Sequence, residues 1–180
     1  MQQLEYFGSG DKKLCGVFSE VDSAVRAGVI FVHAAEGNRL GPSRLFFEAS
    51  EYLGKQGIVS LRFDMRGCGD SEGQGSGDEI QQDVEDLKNA IRFFSERFMG
   101  AKVFLFGISR GARVIISAIS TNELEVEGGI LLSTPFASKT KKKKKIKGRV
   151  REYLYKFAFK SNRKRLWAGK VDFKQVVNTL

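Results

Sequence analysis

The chain has 180 residues, 42% of them apolar and 15 of them Phe; that is enough to bury the core of one domain and too apolar for a disordered chain. The formal net charge of +9 is unevenly placed: residues 1–138 carry 14 Lys+Arg against 19 Asp+Glu, whereas residues 139–170 carry 15 Lys+Arg against the single Glu152. Any electrostatic function is therefore expected from the second segment, and a uniformly basic nucleic-acid-binding domain is excluded.

In chain order, residues 4–20 read as two short strands around the turn Gly8-Ser9-Gly10-Asp11, the second spanning Leu14 to Phe18. Residues 28–33 are a continuous apolar run with β-branched members, the pattern of a strand buried on both faces. His33 closes that strand, and a loop runs from Ala34 to Gly41. Pro42 is placed to start a helix in which Leu45, Phe46, Ala49, Tyr52 and Leu53 recur at helical spacing. Residues 58–63 form the next strand, followed by the loop from Asp64 to Gly73. Residues 78–98 read as a long amphipathic helix with Ile80, Val84, Leu87, Ile91, Phe94 and Phe98 on one face. Asp78, Glu79, Asp83, Glu85 and Asp86 near its start suit the positive end of the helix dipole. Strands follow at 102–106 and 128–133, with a helix at 110–120 between them. Strands alternating with helices predict an α/β fold with a mainly parallel sheet and helices on both faces. His33, Asp64, Ser109 and Ser133 then fall at strand ends along one edge, where such sheets bind ligands.

The stretch Val103 to Ala112 carries the most chemistry. An apolar run breaks at Gly107, presents Ser109 and resumes at Gly111 with a helical pattern. This is G-x-S-x-G in strand–turn–helix context, a nucleophile elbow. The turn is too tight for a Cβ two residues before or after the serine, and glycine meets that need. The serine hydroxyl sits at a helix N-terminus, where free N–H groups and the dipole stabilise an oxyanion.

With His33 and its loop, the stretch Arg62-Phe63-Asp64-Met65-Arg66-Gly67-Cys68-Gly69-Asp70-Ser71, and Gly107-Ile108-Ser109-Arg110-Gly111, the chain resembles an α/β-hydrolase of the serine-hydrolase (lysophospholipase and S33 peptidase-like) superfamily. Within it, the chain most resembles the exosortase A system-associated hydrolases, and the tail from Leu166 to Phe173 resembles the cap region of that subgroup. The resemblance covers the front part of such a hydrolase. It implies Ser109 as nucleophile, the backbone N–H groups of Arg110 and Ala35 as oxyanion donors, and His33 as support for the oxyanion loop rather than as the base. Asp64 and Arg66 pin the neighbouring loop in this reading. It also implies hydrolysis of a small-molecule ester, thioester or amide substrate through an acyl-enzyme, with no metal and no organic cofactor. Acyl or ester substrates of envelope or exopolysaccharide metabolism are what the subgroup suggests.

The departure from the pattern is the rest of the triad. A serine needs an adjacent base, and in this fold the order is Ser, then Asp or Glu, then His. No histidine follows Ser109, His33 is the sole histidine, and Leu132 to Phe136 holds no carboxylate. The expectation is a fold truncated before its last strands, with impaired or absent activity, marginal stability and self-association through an uncovered sheet edge. A fragment of a longer hydrolase, a non-catalytic relative acting as a binding or scaffold protein, and a site completed by a second chain all remain open.

Residues 139–180 read as a basic lid or cap on the 1–138 core. Lys139 and the run Lys141 to Lys145 precede Ile146, Val150, Tyr153, Leu154 and Phe157 at helical spacing, which describes a basic amphipathic helix. Residues 139–165 are suited to peripheral contact with an anionic membrane or an acidic partner. No nucleic acid is expected, since no base-reading motif accompanies the charge. Cys15 and Cys68 lack metal-ligand spacing and read as reduced thiols. No run of eighteen apolar residues and no apolar leader core appear in the sequence, so the expected location is the cytoplasm, with a peripheral place at the inner membrane surface left open.

Overall fold

The structure is a computed structural model that describes residues 2–19, 21, 25–75, 77, 80–120 and 124–134. The predicted basic segment at 139–180 lies outside the described residues. Six strands, β1 (Gln2–Ser9), β2 (Lys12–Ser19), β3 (Ala27–Val32), β4 (Val59–Phe63), β5 (Lys102–Ile108) and β6 (Gly128–Leu132), form one sheet in the order β1-β2-β4-β3-β5-β6. β1 and β2 pair as an antiparallel hairpin and β2 pairs antiparallel with β4; β4, β3, β5 and β6 run parallel. The expected α/β architecture with a mainly parallel sheet is present.

Register decides which side chains share a face. Phe31 lies beside Arg62, and Val29 beside Ser60. These residues face helix α1 (Leu45–Lys55), whose Phe46 ring packs 5.0 Å from that of Phe31 and 5.8 Å from that of Phe106. Ile30, Leu61 and Leu105, one residue out of phase, face helices α2 (Ile80–Arg97) and α3 (Arg110–Ile119) and form the larger core with Phe18, Phe63, Leu87, Phe94 and Ile115. Each fully buried side chain of this size contributes about 1.5–3 kcal/mol.

The α1 face is more polar than the apolar run of β3 suggests. Ser19, Ser50 and Ser60 are buried, and their hydroxyls join at 3.0 and 2.6 Å. Arg62 is 1% exposed. It donates to Gln2 Oε1 at 2.6 Å and to the Arg39 carbonyl at 3.4 Å, while its Nε has no partner among the described residues. Gln2 in turn donates to Glu51. Burial, with the nearby Arg39 cation, pulls the Arg62 guanidinium down to about 10.

One local expectation needs correction. Pro42 opens a single 3-10 turn (Pro42–Arg44), not the α-helix itself; Ser43 and Arg44 have φ of 50° and 63°, and α1 starts at Leu45. Asp83 stands in the first turn of α2 as the dipole argument expects, and both it and Asp86 are also buried, each holding an arginine from another part of the chain. No described helix is long and apolar enough to cross a membrane.

A tight joint between α2 and the sheet is at Gly28, where a Cβ would lie 2.2 Å from Phe94 Cζ and 2.8 Å from Val59 Cγ1. Both neighbours are fully packed, so they cannot yield cheaply. Gly28→Ala is expected to destabilise by about 1–3 kcal/mol, read as a lowered urea midpoint with an unchanged m-value. A midpoint equal to that of the wild type would show that α2 is free to shift.

Candidate active site at the carboxyl edge of the sheet

The parallel strands end together. Val32 pairs with Gly107, Ile108 with Leu132 and Phe31 with Arg62, so His33, Asp64, Ser109 and Ser133 follow along one edge. Ser109 lies between β5 and α3 with φ 54° and ψ −112°. A serine held there stores about 1–3 kcal/mol of backbone strain, which persists only if its surroundings fix it. They do so through two backbone hydrogen bonds and two glycine contacts. Ser109 N–H donates to the Leu132 carbonyl at 2.9 Å, and Arg113 N–H returns to the Ser109 carbonyl at 3.2 Å. A Cβ on Gly111 would sit 2.1 Å from the Val32 carbonyl oxygen and 2.6 Å from that of His33; one on Gly107 would sit 2.6 Å from Ile115 Cδ1. Both glycines of the motif are therefore required by contacts, and those contacts bring the elbow against the loop that follows β3. Ser109 itself is half-buried, and no described side chain hydrogen-bonds its hydroxyl.

His33 is 1% exposed and faces away from proton-transfer work. Its Nε2 accepts the Met65 N–H at 3.0 Å, so that nitrogen carries no proton. Its Nδ1 then donates to the Ala34 carbonyl at 2.7 Å. Burial holds the imidazole below its ordinary value of 6.5. A neutral ring with both nitrogens engaged cannot take a proton from Ser109. What it does is tie two loops together: the Ala34 carbonyl also receives Gly37 N–H at 3.1 Å, closing the turn that contains the exposed Ala35.

The loop after β4 is pinned by two buried carboxylates. Asp64 is fully buried and receives the Arg39 N–H at 2.6 Å, the Arg39 guanidinium, and the Asp70 N–H at 3.0 Å. Ser71 closes the loop onto the Asp64 carbonyl at 2.6 Å. Arg66 is gripped by Asp86, which accepts from its N–H at 2.8 Å, its Nε at 2.9 Å and its Nη2 at 2.7 Å. Ser9 donates to the same Asp86 at 2.7 Å. Cys15, Asp64 and Asp70 offer ligand atoms within 4.8 Å of one another, but Arg39 spans both carboxylates. The grouping is an ion-paired network rather than an acidic cluster awaiting a cation. Burial raises both thiols, Cys15 and Cys68, away from thiolate character.

Arg110, next to Ser109, turns its side chain back to α2. Nε donates to Asp83 Oδ2 at 2.5 Å and Nη1 to the Gly77 carbonyl at 2.5 Å. Sequence reasoning missed Asp83, Asp86 and Arg39 as structural partners. Their roles depend on residues 20 to 27 positions away, and nothing local marks them.

The sequence matches a family model described as serine aminopeptidase, S33, over residues 23–177. Comparison with curated proteins gives no match. Among solved structures, the chain is similar to an α/β-hydrolase from Penicillium sp. sh18, with 20% identity and a TM-score of 0.64 over 73% of this chain and 45% of that one. It is also similar to an esterase from Pyrococcus furiosus, with 24% identity and a TM-score of 0.62 over 72% and 51% of the two chains. An α/β serine hydrolase without lid from Xanthomonas campestris has 24% identity and a TM-score of 0.61 over 74% and 62%. The chain thus spans about half the length of the first two and under two thirds of the third. A sheet of this order, an elbow of this geometry and a family match over most of its length lead to one statement: the chain belongs to the serine aminopeptidase S33 family of the α/β-hydrolase superfamily.

Proposed function

We propose that this chain carries the nucleophile and oxyanion part of a serine hydrolase acting on ester, thioester or amide bonds. Ser109 is the nucleophile, the backbone N–H groups of Arg110 and Ala35 receive the oxyanion, and His33 supports the Ala35 loop. The observation that carries this reading is the strained φ of 54° at Ser109 between two glycines that contacts leave no room to replace. Strain of this kind concentrates at functional sites. The esterase from Pyrococcus furiosus, similar in fold, favours an ester among the three bond types. The subgroup substrate class, small acyl or ester molecules, is carried forward on resemblance.

The proton acceptor is the missing part. His33 is the sole histidine of the sequence, and its ring is engaged with Met65 and Ala34. Ser109 therefore attacks slowly in this chain unless a base comes from outside the sequence. Removing the base from a triad leaves a residual rate on the order of 10³–10⁴ over water. The division into a 1–138 core and a basic 139–180 lid, with residues 139–165 touching anionic lipid, rests on the charge of 139–170. Self-association rests on the expectation of an uncovered sheet edge. Cofactor-free chemistry follows from the acyl-enzyme route itself.

Intact-mass labelling with a fluorophosphonate probe tests the reading. Slow, single-site labelling that disappears in Ser109→Ala is expected. A folded wild type that takes up no probe would favour the non-catalytic, partner-binding reading.

The role of His33 gives a second expectation. Its folded-state value lies below 6.5, so the unfolded chain binds the proton first as the pH falls. The stability contribution is fully present above the unfolded value and is lost as the pH drops through 6.5 toward the folded value. Stability should therefore decline below about pH 6.5, and the decline should flatten in His33→Asn. Since this is the sole histidine, its ring protons report alone in NMR. A titration midpoint at or above 6.5 would contradict the buried, neutral assignment.

A further inference from the structure

An N–H group stabilises an oxyanion well only when it is aimed before the charge develops. The Ser109 backbone angle and the start of α3 set the direction of the Arg110 N–H, and the Arg110 side chain adds a second restraint on the same residue. Two contacts among the described residues hold that side chain. Asp83, in the first turn of α2, accepts from Nε at 2.5 Å, and the Gly77 carbonyl accepts from Nη1 at 2.5 Å. The Asp83 side chain is only 4% exposed, and that of Arg110 14%.

The grip at Nε matters. A bond to a terminal guanidinium nitrogen leaves a long lever, whereas a bond at Nε leaves three side-chain torsions between the contact and the backbone. The second bond fixes the plane of the fork. The anchor is itself rigid, since α2 is set into the core by Leu87 and Phe94 and clamped by Asp86 on Arg66. The pair is also electrically neutral, so it restrains the elbow without leaving a bare negative charge beside the place where an oxyanion forms. An acid serving only the α2 dipole would need neither burial nor an arginine partner.

We propose that Asp83 is a positioning residue of the hydrolytic site: through its ion pair with Arg110 it holds the backbone N–H that follows the nucleophile. The proposal deepens the reading of Ser109 and Arg110 given above and rests on it.

The test uses the full chain, labelled with ¹⁵N, as wild type and Asp83→Asn. The substitution keeps size and polarity and removes the charge. The Arg110 amide resonance is expected to shift and to exchange faster, while the Leu87–Phe94 amides stay in place. Phosphonylation of Ser109 is expected to slow roughly 10- to 100-fold in its maximal rate, with the probe's apparent affinity unchanged. If Asp83 acts through Arg110, the double variant Asp83→Asn/Arg110→Gln should label no more slowly than Arg110→Gln alone. Should Asp83→Asn fail to fold, Arg110→Lys keeps the charge, cannot donate from both Nε and Nη1, and should show the same kinetic loss. An Arg110 amide indifferent to Asp83→Asn, or fully additive losses in the double variant, would overturn the proposal. A wild type that never labels would instead overturn the nucleophile assignment, and the Arg110 amide would still decide what Asp83 does.

Discussion

The contact on which the site depends is the one between the first turn of α3 and the end of β3. Gly111 lies so close to the Val32 and His33 carbonyls that no side chain fits between them. That approach fixes how α3 leaves the sheet, and with it the backbone angle of Ser109. It also sets the elbow against the loop containing Ala35. The neighbouring strand β6 completes the frame, because the Ser109 N–H is spent on Leu132. A backbone-to-backbone approach of this kind costs nothing in side-chain entropy, and it cannot be imitated by a larger residue that adjusts its rotamer.

Around this joint the protein uses buried charge to hold loops rather than to gain stability. Asp64 with Arg39, Asp86 with Arg66 and Asp83 with Arg110 each link a loop or a helix start to a distant segment. Desolvation offsets most of the attraction in such pairs, so their net contribution to folding is small, yet breaking one leaves an uncompensated charge. They specify geometry. This suits a candidate site whose residues follow separate strands and meet at one sheet edge.

Much of this was legible from the residues in order. The apolar run 28–33, the elbow at 107–111 and the helical spacing from Ile80 to Phe98 are local patterns, and a local pattern survives into the fold when tertiary forces agree with it. The unreadable parts were the long-range ones. Asp83 and Asp86 looked like acids at a helix start because the sequence shows their neighbours and not their partners. Arg62 and Ser60 alternate with Val59, Leu61 and Phe63, and the structure buries that polar face under α1, where hydroxyls and Gln2 meet it. The onset of α1 was misplaced because a proline favours a helix start without excluding a preceding turn, and two left-handed residues intervene.

Arg62 also bears on which sequences this fold can accept. It is a cation with no carboxylate in contact among the described residues, buried on the sheet face that α1 covers and donating to the neutral amide of Gln2. A guanidinium can live there because even a value near 10 leaves it charged at neutral pH. An ammonium starts lower and is more strongly hydrated, so the same enclosure would bring it close to losing its proton. The position therefore separates two residues that most substitution schemes treat as equivalent, and its enclosure on the α1 face makes the distinction matter.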